Sequence, residues 1–148
     1  MKENVITSEG GPVALLAQSP KSRSHRILVV DDESTIRKLM TSVLVKSGYE
    51  VESANDGAEA WTALQAKTYD LLITDHNMPK ISGIELVKNM RSARMELPVV
   101  MVAGVVPVEE LAQDPSLQFA ATLSKPFDLS DFLDTVTNVL HLAEKQVA

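Results

Sequence analysis

The chain has 148 residues and a formal net charge of −6 at pH 7, with 45% hydrophobic and 23% charged residues. This composition is ordinary for one compact globular domain, and the negative charge argues against binding to a nucleic-acid backbone, which requires basic patches. The absence of cysteine excludes disulfides and thiolate metal sites, and no apolar run approaches the length of a membrane span.

The first 24 residues show no long periodicity and are interrupted by glycine and proline. Their short apolar patch, Val13–Ala17, is too short for the core of a signal peptide, and Lys2 is followed at once by Glu3, so we expect no export. We predict a flexible leader over residues 1–24, with a docking segment as the alternative. We also predict a single domain over residues 25–148 and a cytoplasmic location.

From residue 25 onward, strand and helix patterns alternate. Short apolar runs predict strands at Ile27–Val30, Tyr49–Ser53, Asp70–Thr74, Val99–Ala103 and Ala121–Ser124. Helical spacing of apolar residues predicts helices at Ser34–Lys46, from Asp56 through Leu64, around Ile84–Met90, and at Leu129–Leu142. This alternation predicts a doubly wound α/β fold with a parallel sheet and right-handed crossovers.

Two helices are predicted to bury a well-defined apolar face. In the first helix these residues are Ile36, Leu39, Met40, Val43 and Leu44, and in the last they are Leu129, Phe132, Leu133, Val136, Val139 and Leu140. The segment between Pro107 and Phe119 should contain one more helix. Pro115 disfavours the helical conformation of the residue before it, so this fourth helix should be short or distorted.

Three of the apolar runs end in charged residues. Val30 is followed by Asp31 and Asp32, Thr74 by Asp75, and Ser124 by Lys125. Because ligands of open α/β sheets bind at the carboxyl ends of the strands, we expect these side chains to converge on one edge. Three carboxylates and an ammonium predict a divalent-cation site beside a candidate phosphate acceptor. Taken singly, the same residues could be a helix cap, a turn residue and a solvated lysine.

With these motifs in this order, the chain resembles a response-regulator receiver domain of two-component signalling, of the chemotaxis-regulator type. The resemblance rests on Val30–Ser34, on Asp75–Pro79 followed by Ser82-Gly83, and on Lys125-Pro126-Phe127. It implies a flavodoxin-like five-stranded parallel sheet of order 2-1-3-4-5 with helices on both faces. It covers nearly everything after the leader.

The resemblance also implies roles for the charged residues. Asp75 would be the phosphoacceptor. Asp32 and Asp75 would bind Mg²⁺ (or Mn²⁺) directly together with the backbone carbonyl of Asn77, while Asp31 would act mostly through water. Lys125 would meet a phosphoryl oxygen, and a cis bond before Pro126 would aim it into the site.

Two positions depart from the pattern of the family. Ala103 stands where a threonine or serine normally contacts the phosphoryl group, and Thr122 stands where the family often carries a tyrosine or phenylalanine as a rotamer switch. Together with the short fourth helix, these changes fall on the face that most receivers use for output. The phosphorylation half of the site is therefore expected to be complete and the transmitting half altered.

Three functions follow as hypotheses. The first is a receiver that a sensor histidine kinase or phosphotransfer protein phosphorylates on Asp75 and that signals to an unknown downstream protein. The second is a phosphorylation-independent interaction module that keeps the receiver fold, motivated by Ala103 and Thr122. The third is a metal-dependent phosphate hydrolase, for which His76 is the candidate general base. A receiver is consumed by its own phosphorylation, so we do not expect an enzyme. We expect no membrane partner, and a homodimer is compatible with the outward charges of the last helix.

Overall fold

The computed structural model describes residues 24–147, with side chains described as far as Lys145. The predicted leader, residues 1–24, therefore lies outside the described residues except for Ser24. Five strands form one sheet: β1 (Arg26–Val30), β2 (Glu50–Ala54), β3 (Leu71–Thr74), β4 (Val99–Ala103) and β5 (Ala121–Ser124). The helices are α1 (Ser34–Lys46), α2 (Gly57–Ala66), α3 (Gly83–Ser92), α4 (Val108–Gln113) and α5 (Leu129–Val147), with a 3₁₀ helix at Pro115–Leu117.

The order of the strands across the sheet is β2-β1-β3-β4-β5, and every neighbouring pair is parallel. The predicted flavodoxin-like fold is thus confirmed. Because all five strands run in the same direction, their carboxyl ends lie at one edge of the sheet. The two strands at its centre, β1 and β3, both end in the charged residues that the sequence singles out.

The core has two apolar layers, one on each face of the sheet. Successive residues of a strand point to opposite faces, so Leu28 and Val30 of β1 belong to the layer that includes residues of α2 and α3. Ile27 and Val29 belong to the layer that includes residues of α1 and α5, with Phe132 fully buried in it. Burying an apolar side chain of this size contributes roughly 1.5–3 kcal/mol, so these layers fix the positions of the strand ends.

Several predicted details need correction. Strand β2 is Glu50–Ala54 rather than Tyr49–Ser53, β3 begins at Leu71 rather than Asp70, and α5 continues past Leu142. Two residues predicted to face the core are exposed, Leu39 at 43% and Leu129 at 40%. Leu39 lies on the edge of the apolar face of α1, and Leu129 is the first residue of α5, so neither is enclosed by the sheet.

The short fourth helix is confirmed. Helix α4 has six residues, and Pro115 begins the separate 3₁₀ helix that follows it. After this turn the chain enters β5 through Gln118, whose φ of 55° lies in the left-handed region. A glycine would adopt this conformation at no steric cost. Among the described residues, no helix is long and apolar enough to cross a membrane.

Candidate metal and phosphoacceptor site

Neighbouring strands bring the predicted site residues together. Asp31 follows β1 and Asp75 follows β3, and the backbone N–H of Asp75 donates to the carbonyl of Val30 at 3.0 Å. Lys125 follows β5, and its backbone N–H donates to the carbonyl of Ala103 at 2.8 Å. The ladder of the sheet therefore continues for one residue past the strand ends, which fixes where each charged side chain begins.

The ammonium of Lys125 lies between the two buried carboxylates. Its Nζ is 2.8 Å from Oδ2 of Asp31 and 3.2 Å from Oδ2 of Asp75, and it is 3.5 Å from Oε1 of Glu33. Only 12% of the lysine side chain is exposed. The peptide bond between Lys125 and Pro126 is cis. This lysine is therefore an internal counter-ion and not a solvated surface residue.

Three carboxylates form a compact acidic cluster. One oxygen each of Asp31, Asp32 and Asp75 lies within 4.8 Å of the others. Asp31 is fully buried and Asp75 is 7% exposed, whereas Asp32 faces solvent. One ammonium cannot balance three carboxylates, and hard oxygen ligands are those that Mg²⁺ prefers. The donor set therefore fits a divalent cation, with Asn77 on the exposed loop that follows Asp75.

Burial and the neighbouring charges of the cluster shift the pKa values of Asp75 and Lys125. Burial raises the pKa of the Asp75 carboxyl, and the charge of Asp31 raises it further, against the opposing effects of the His76 N–H and Lys125. Burial alone would lower the pKa of the Lys125 ammonium. The hydrogen bond and charge of Asp31, together with Asp75, outweigh burial and raise that pKa. The site holds more negative charge than its lysine neutralises.

Close backbone packing positions the loop after Asp75. A Cβ atom on Gly83 would collide with the backbone carbonyl of Asp75, so only glycine fits where α3 begins. The Gly83 N–H donates to the carbonyl of His76 at 2.9 Å. Ser82 and Glu85 form a capping box at the start of α3. These contacts fix the loop at the point where the carboxylate of Asp75 leaves the strand.

His76 follows the candidate acceptor and contacts it through its backbone. Its backbone N–H donates to Oδ1 of Asp75 at 2.7 Å, and the residue is half-buried rather than facing solvent. Its Nδ1 atom is buried and has no hydrogen-bond partner among the described residues. A base must reach the proton that it removes, directly or through one water. The geometry therefore gives the hydrolase hypothesis no support.

The two atypical positions lie on the neighbouring strands. Ala103 ends β4 and is 1% exposed, while Thr122 on β5 is exposed. Ala103 pairs in register with Ser124, whose side chain is also exposed. The carboxylate of Asp75 accepts hydrogen bonds from His76 and Lys125, and Ala103 has no hydroxyl to add. The position that lacks a hydroxyl, Ala103, is thus at the end of the strand next to the one that Asp75 follows.

An arginine that the sequence did not single out holds the segment between β4 and β5. Arg91 of α3 donates to the carbonyls of Met95 at 2.8 Å, Leu117 at 2.9 Å, Leu97 at 3.0 Å and Gln118 at 3.4 Å. Burial lowers the pKa of its guanidinium. An arginine in the last turn of an amphipathic helix is typically solvated, and no signal in the sequence marks the distant carbonyls of Leu117 and Gln118 as its partners.

Comparison with known proteins decides the family. Residues 27–137 match the family described as "Response regulator receiver domain". The chain belongs to this family. Receiver domains are the signalling domains of two-component response regulators, which agrees with a chain whose acidic cluster stands at the carboxyl edge of a doubly wound sheet.

Individual relatives support the assignment. The chain is 32% identical to the response regulator receiver protein CpdR of Brucella abortus over 115 residues, 78% of this chain and 96% of that protein. It superposes on the chemotaxis protein CheY4 of Vibrio cholerae with a TM-score of 0.73 and 33% identity, covering 79% of this chain and 99% of that one.

A third relative was solved with a cation. The response regulator TrrA of Thermotoga maritima, in complex with Mg²⁺-BeF, matches with a TM-score of 0.70 and 30% identity, covering 78% of this chain and 98% of that one. The chain spans only 11% to 54% of the length of four other curated relatives. It thus corresponds to a whole protein in CpdR and to one part of these longer proteins.

Proposed function

We propose that this chain is a phosphoacceptor signalling domain that is phosphorylated on Asp75 in a Mg²⁺-dependent reaction. The phosphodonor would be a histidine kinase or a phosphotransfer protein. One observation carries the proposal: the buried carboxylate of Asp75 lies within 4.8 Å of the oxygens of Asp31 and Asp32 and 3.2 Å from the ammonium of Lys125. A nucleophile, a set of oxygen ligands and the ammonium of Lys125 thus lie together at the carboxyl edge of the sheet.

The reaction is a transfer between two nucleophiles. An oxygen of Asp75 forms a bond to phosphorus, the phosphorus–nitrogen bond of a phosphohistidine breaks, and the leaving imidazole takes up a proton. Because an anionic carboxylate attacks an anionic group, positive charge is needed beside the phosphoryl oxygens. The Lys125 ammonium, 12% exposed and held by Asp31 at 2.8 Å, would donate a hydrogen bond to a phosphoryl oxygen.

Residues of the cluster would hold the cation. Asp32, Asp75 and the backbone carbonyl of Asn77 would bind Mg²⁺ directly, with Asp31 acting through water. When bound, Mg²⁺ would supply the charge that screens the carboxylates from the phosphoryl oxygens. The relative TrrA, solved with Mg²⁺-BeF, supports this assignment. The excess negative charge of the cluster supports it independently.

Intact-mass measurement tests the proposal. The protein is incubated with a small-molecule phosphodonor with and without Mg²⁺, as wild type, as Asp75→Ala, and as Asp134→Ala, which removes an exposed carboxylate of α5. We expect one phosphoryl adduct in wild type and Asp134→Ala, only with Mg²⁺, and none in Asp75→Ala. A stoichiometric adduct on Asp75→Ala would show that the acceptor is another residue.

The alternative function is a phosphorylation-independent interaction module. The observation that favours it is the buried Ala103 at the strand end beside Asp75, together with the exposed Thr122. Failure to form an adduct in a protein shown separately to bind Mg²⁺ would favour this alternative. A homodimer through α5, whose Asp131 and Asp134 are exposed, stays a prediction that sedimentation of the phosphorylated protein would test.

A further inference from the structure

A groove of about 620 Å³ lies at the amino-terminal edge of the sheet, opposite the candidate site. It is bordered by residues that precede β1, β3 and β4, and by the ends of α2 and α5. This volume is in the range of sites that bind small molecules or side-chain clusters. Its wall is mainly apolar and includes Leu64, Tyr69, Met95, Leu97, Leu140 and Ala143.

Acidic groups dominate the border of this groove. Asp70, Glu96 and Glu144 line it, against the single ammonium of Lys67. The backbone N–H of Arg26 donates to Asp70 at 2.8 Å, and Glu144 lies 3.0 Å from the His25 ring. An apolar segment flanked by basic residues would therefore fit the groove better than one flanked by acids.

The chain itself enters the domain beside the groove. His25 lines the groove. The preceding residue, Ser24, is held in place by a hydrogen bond from its hydroxyl to the carbonyl of Gly48 at 3.0 Å. The apolar patch Val13–Ala17 is joined to Ser24 by seven residue steps. These span at most about 25 Å when extended and roughly 14 Å on average when flexible. The patch can reach the groove without strain.

We propose that the apolar patch Val13–Ala17 docks into this groove of the same chain. All five residues of the patch are aliphatic, with Leu15 and Leu16 near its centre, and the connecting segment carries Lys21 and Arg23 and no acid. Apolar residues would cover the apolar wall, and the basic connection would pass the acidic border. The docked segment would lie on the edge remote from Asp75 and leave the candidate site accessible.

The tether makes a modest affinity sufficient. A short flexible connection gives an effective concentration on the order of millimolar. An intrinsic dissociation constant on the order of millimolar, within reach of a few buried aliphatic side chains, would then populate the docked state about half of the time. The contact is thus expected to be measurable in the full chain by a method that detects partly populated states.

Paramagnetic relaxation tests the proposal directly. Because the chain has no cysteine, Ser8→Cys provides a single site for a nitroxide label, five residues before the apolar patch. Amide broadening is measured on ¹⁵N-labelled full-length protein at Tyr69, Leu97 and Ala143, with Gly104 at the opposite edge as the internal reference. The matched control adds Leu15→Ser and Leu16→Ser to the same labelled chain and changes no residue of the sheet or its helices.

Docking predicts broadening at the three groove amides that is about twofold or more above the control, as expected for a state populated half of the time, with no difference at Gly104. Equal broadening in the two chains would overturn the proposal. A mixture of ¹⁵N-labelled chains without nitroxide and unlabelled chains with nitroxide separates the remaining case. Broadening at the groove in this mixture would assign the groove to a second copy and would equally overturn the proposal.

Discussion

The edge formed by β1 and β3 and the segment between β4 and β5 are built in opposite ways. At the first, charged side chains contact each other, with Lys125 between Asp31 and Asp75. At the second, a side chain from another helix contacts the main chain, as Arg91 donates to the carbonyls of Leu117 and Gln118. We therefore expect the first arrangement to respond to added charge and the second to hold its loop in place regardless of charge at Asp75.

Ala103 separates these two regions. A hydrogen bond to a charged group contributes roughly 1.5–3 kcal/mol, and allosteric coupling typically amounts to about 1–3 kcal/mol. The free energy of the hydrogen bond that alanine cannot make is therefore as large as the whole coupling free energy of a typical allosteric switch. We therefore expect this receiver to keep the chemistry of its acceptor without the link through which a phosphoryl group on Asp75 would move the neighbouring strand.

The largest effect is expected at the charged edge. Lys125→Met leaves Asp31 and Asp75 buried without their counter-ion, and breaking a buried pair in this way costs about 3 kcal/mol. Urea unfolding should show this loss, and added Mg²⁺ should restore part of it by supplying positive charge. Lys125→Arg keeps the charge and serves as the control. Equal stability of the Met and Arg variants would contradict the role of Lys125 as counter-ion.

The next effect concerns the uncharged region. Arg91→Met keeps the length of the side chain but removes its donors to four carbonyls, so we expect a loss of about 2 kcal/mol in the free energy of unfolding. Hydrogen exchange should accelerate at Leu117 and Gln118 and stay unchanged at Asp75. Arg91→Lys keeps the charge but lacks the planar guanidinium, so its free energy of unfolding should lie between those of wild type and Arg91→Met. Uniform exchange changes across the domain would indicate general destabilisation and not a local support.

Restoring the missing hydroxyl should join the two regions. Ala103→Thr adds the donor that the family normally carries, and Ala103→Val adds the same volume without it. We expect the threonine variant alone to gain coupling of about 1–3 kcal/mol between a phosphoryl mimic and the β4–β5 segment. Amide shifts of Leu117 and Gln118 on loading measure it. The same response in the valine variant would show that volume, and not the hydroxyl, carries the effect.

The smallest effect lies away from both regions. The Tyr69 hydroxyl donates to Glu52 at 2.7 Å, and burial, followed by that carboxylate, raises the pKa of the phenol to about 12. A raised pKa favours the neutral phenol in the folded state. Its stabilisation is thus complete below the unfolded value of about 10 and is lost as the pH rises toward 12.

Tyr69→Phe should therefore cost about 1 kcal/mol at neutral pH and should remove the fall in stability between about pH 10 and 12. Urea unfolding at a series of pH values measures both. Tyr49→Phe is the control, because the Tyr49 hydroxyl makes only a 3.5 Å contact with Thr137. Sensitivity of the Tyr69 contribution to Mg²⁺ would contradict the separation of this edge from the candidate site.

The fold could be predicted from the sequence because the periodicity of apolar residues agreed with the positions of glycine and proline between the elements. Helix α1 begins and ends where the apolar spacing and Gly48 indicated, and Gly48 indeed takes a positive φ of 98°. Pro115 correctly predicted the interrupted fourth helix. The end of α5 was placed too early, because Ala143, Glu144 and Lys145 all favour helix and no stop signal follows Leu142.

The candidate site was only partly accessible to the same reasoning. Strand ends carry their own residues to a shared edge, so the meeting of Asp31, Asp32, Asp75 and Lys125 followed from topology. The contacts of Arg91 could not be predicted, because they join carbonyls 26 and 27 residues away through a left-handed turn at Gln118. Such partners depend on loop geometry, which the sequence pattern does not encode.

The most direct test compares both regions in one sample. Amide spectra of ¹⁵N-labelled wild-type protein are recorded before and after loading with Mg²⁺ and beryllofluoride, a mimic of the phosphoryl group. We expect large shifts at Asp75, Asn77 and Lys125 and small ones at Leu117 and Gln118. Shifts of equal size in the β4–β5 segment would contradict the loss of coupling at Ala103, and unchanged amides around Asp75 would contradict the phosphoacceptor site itself.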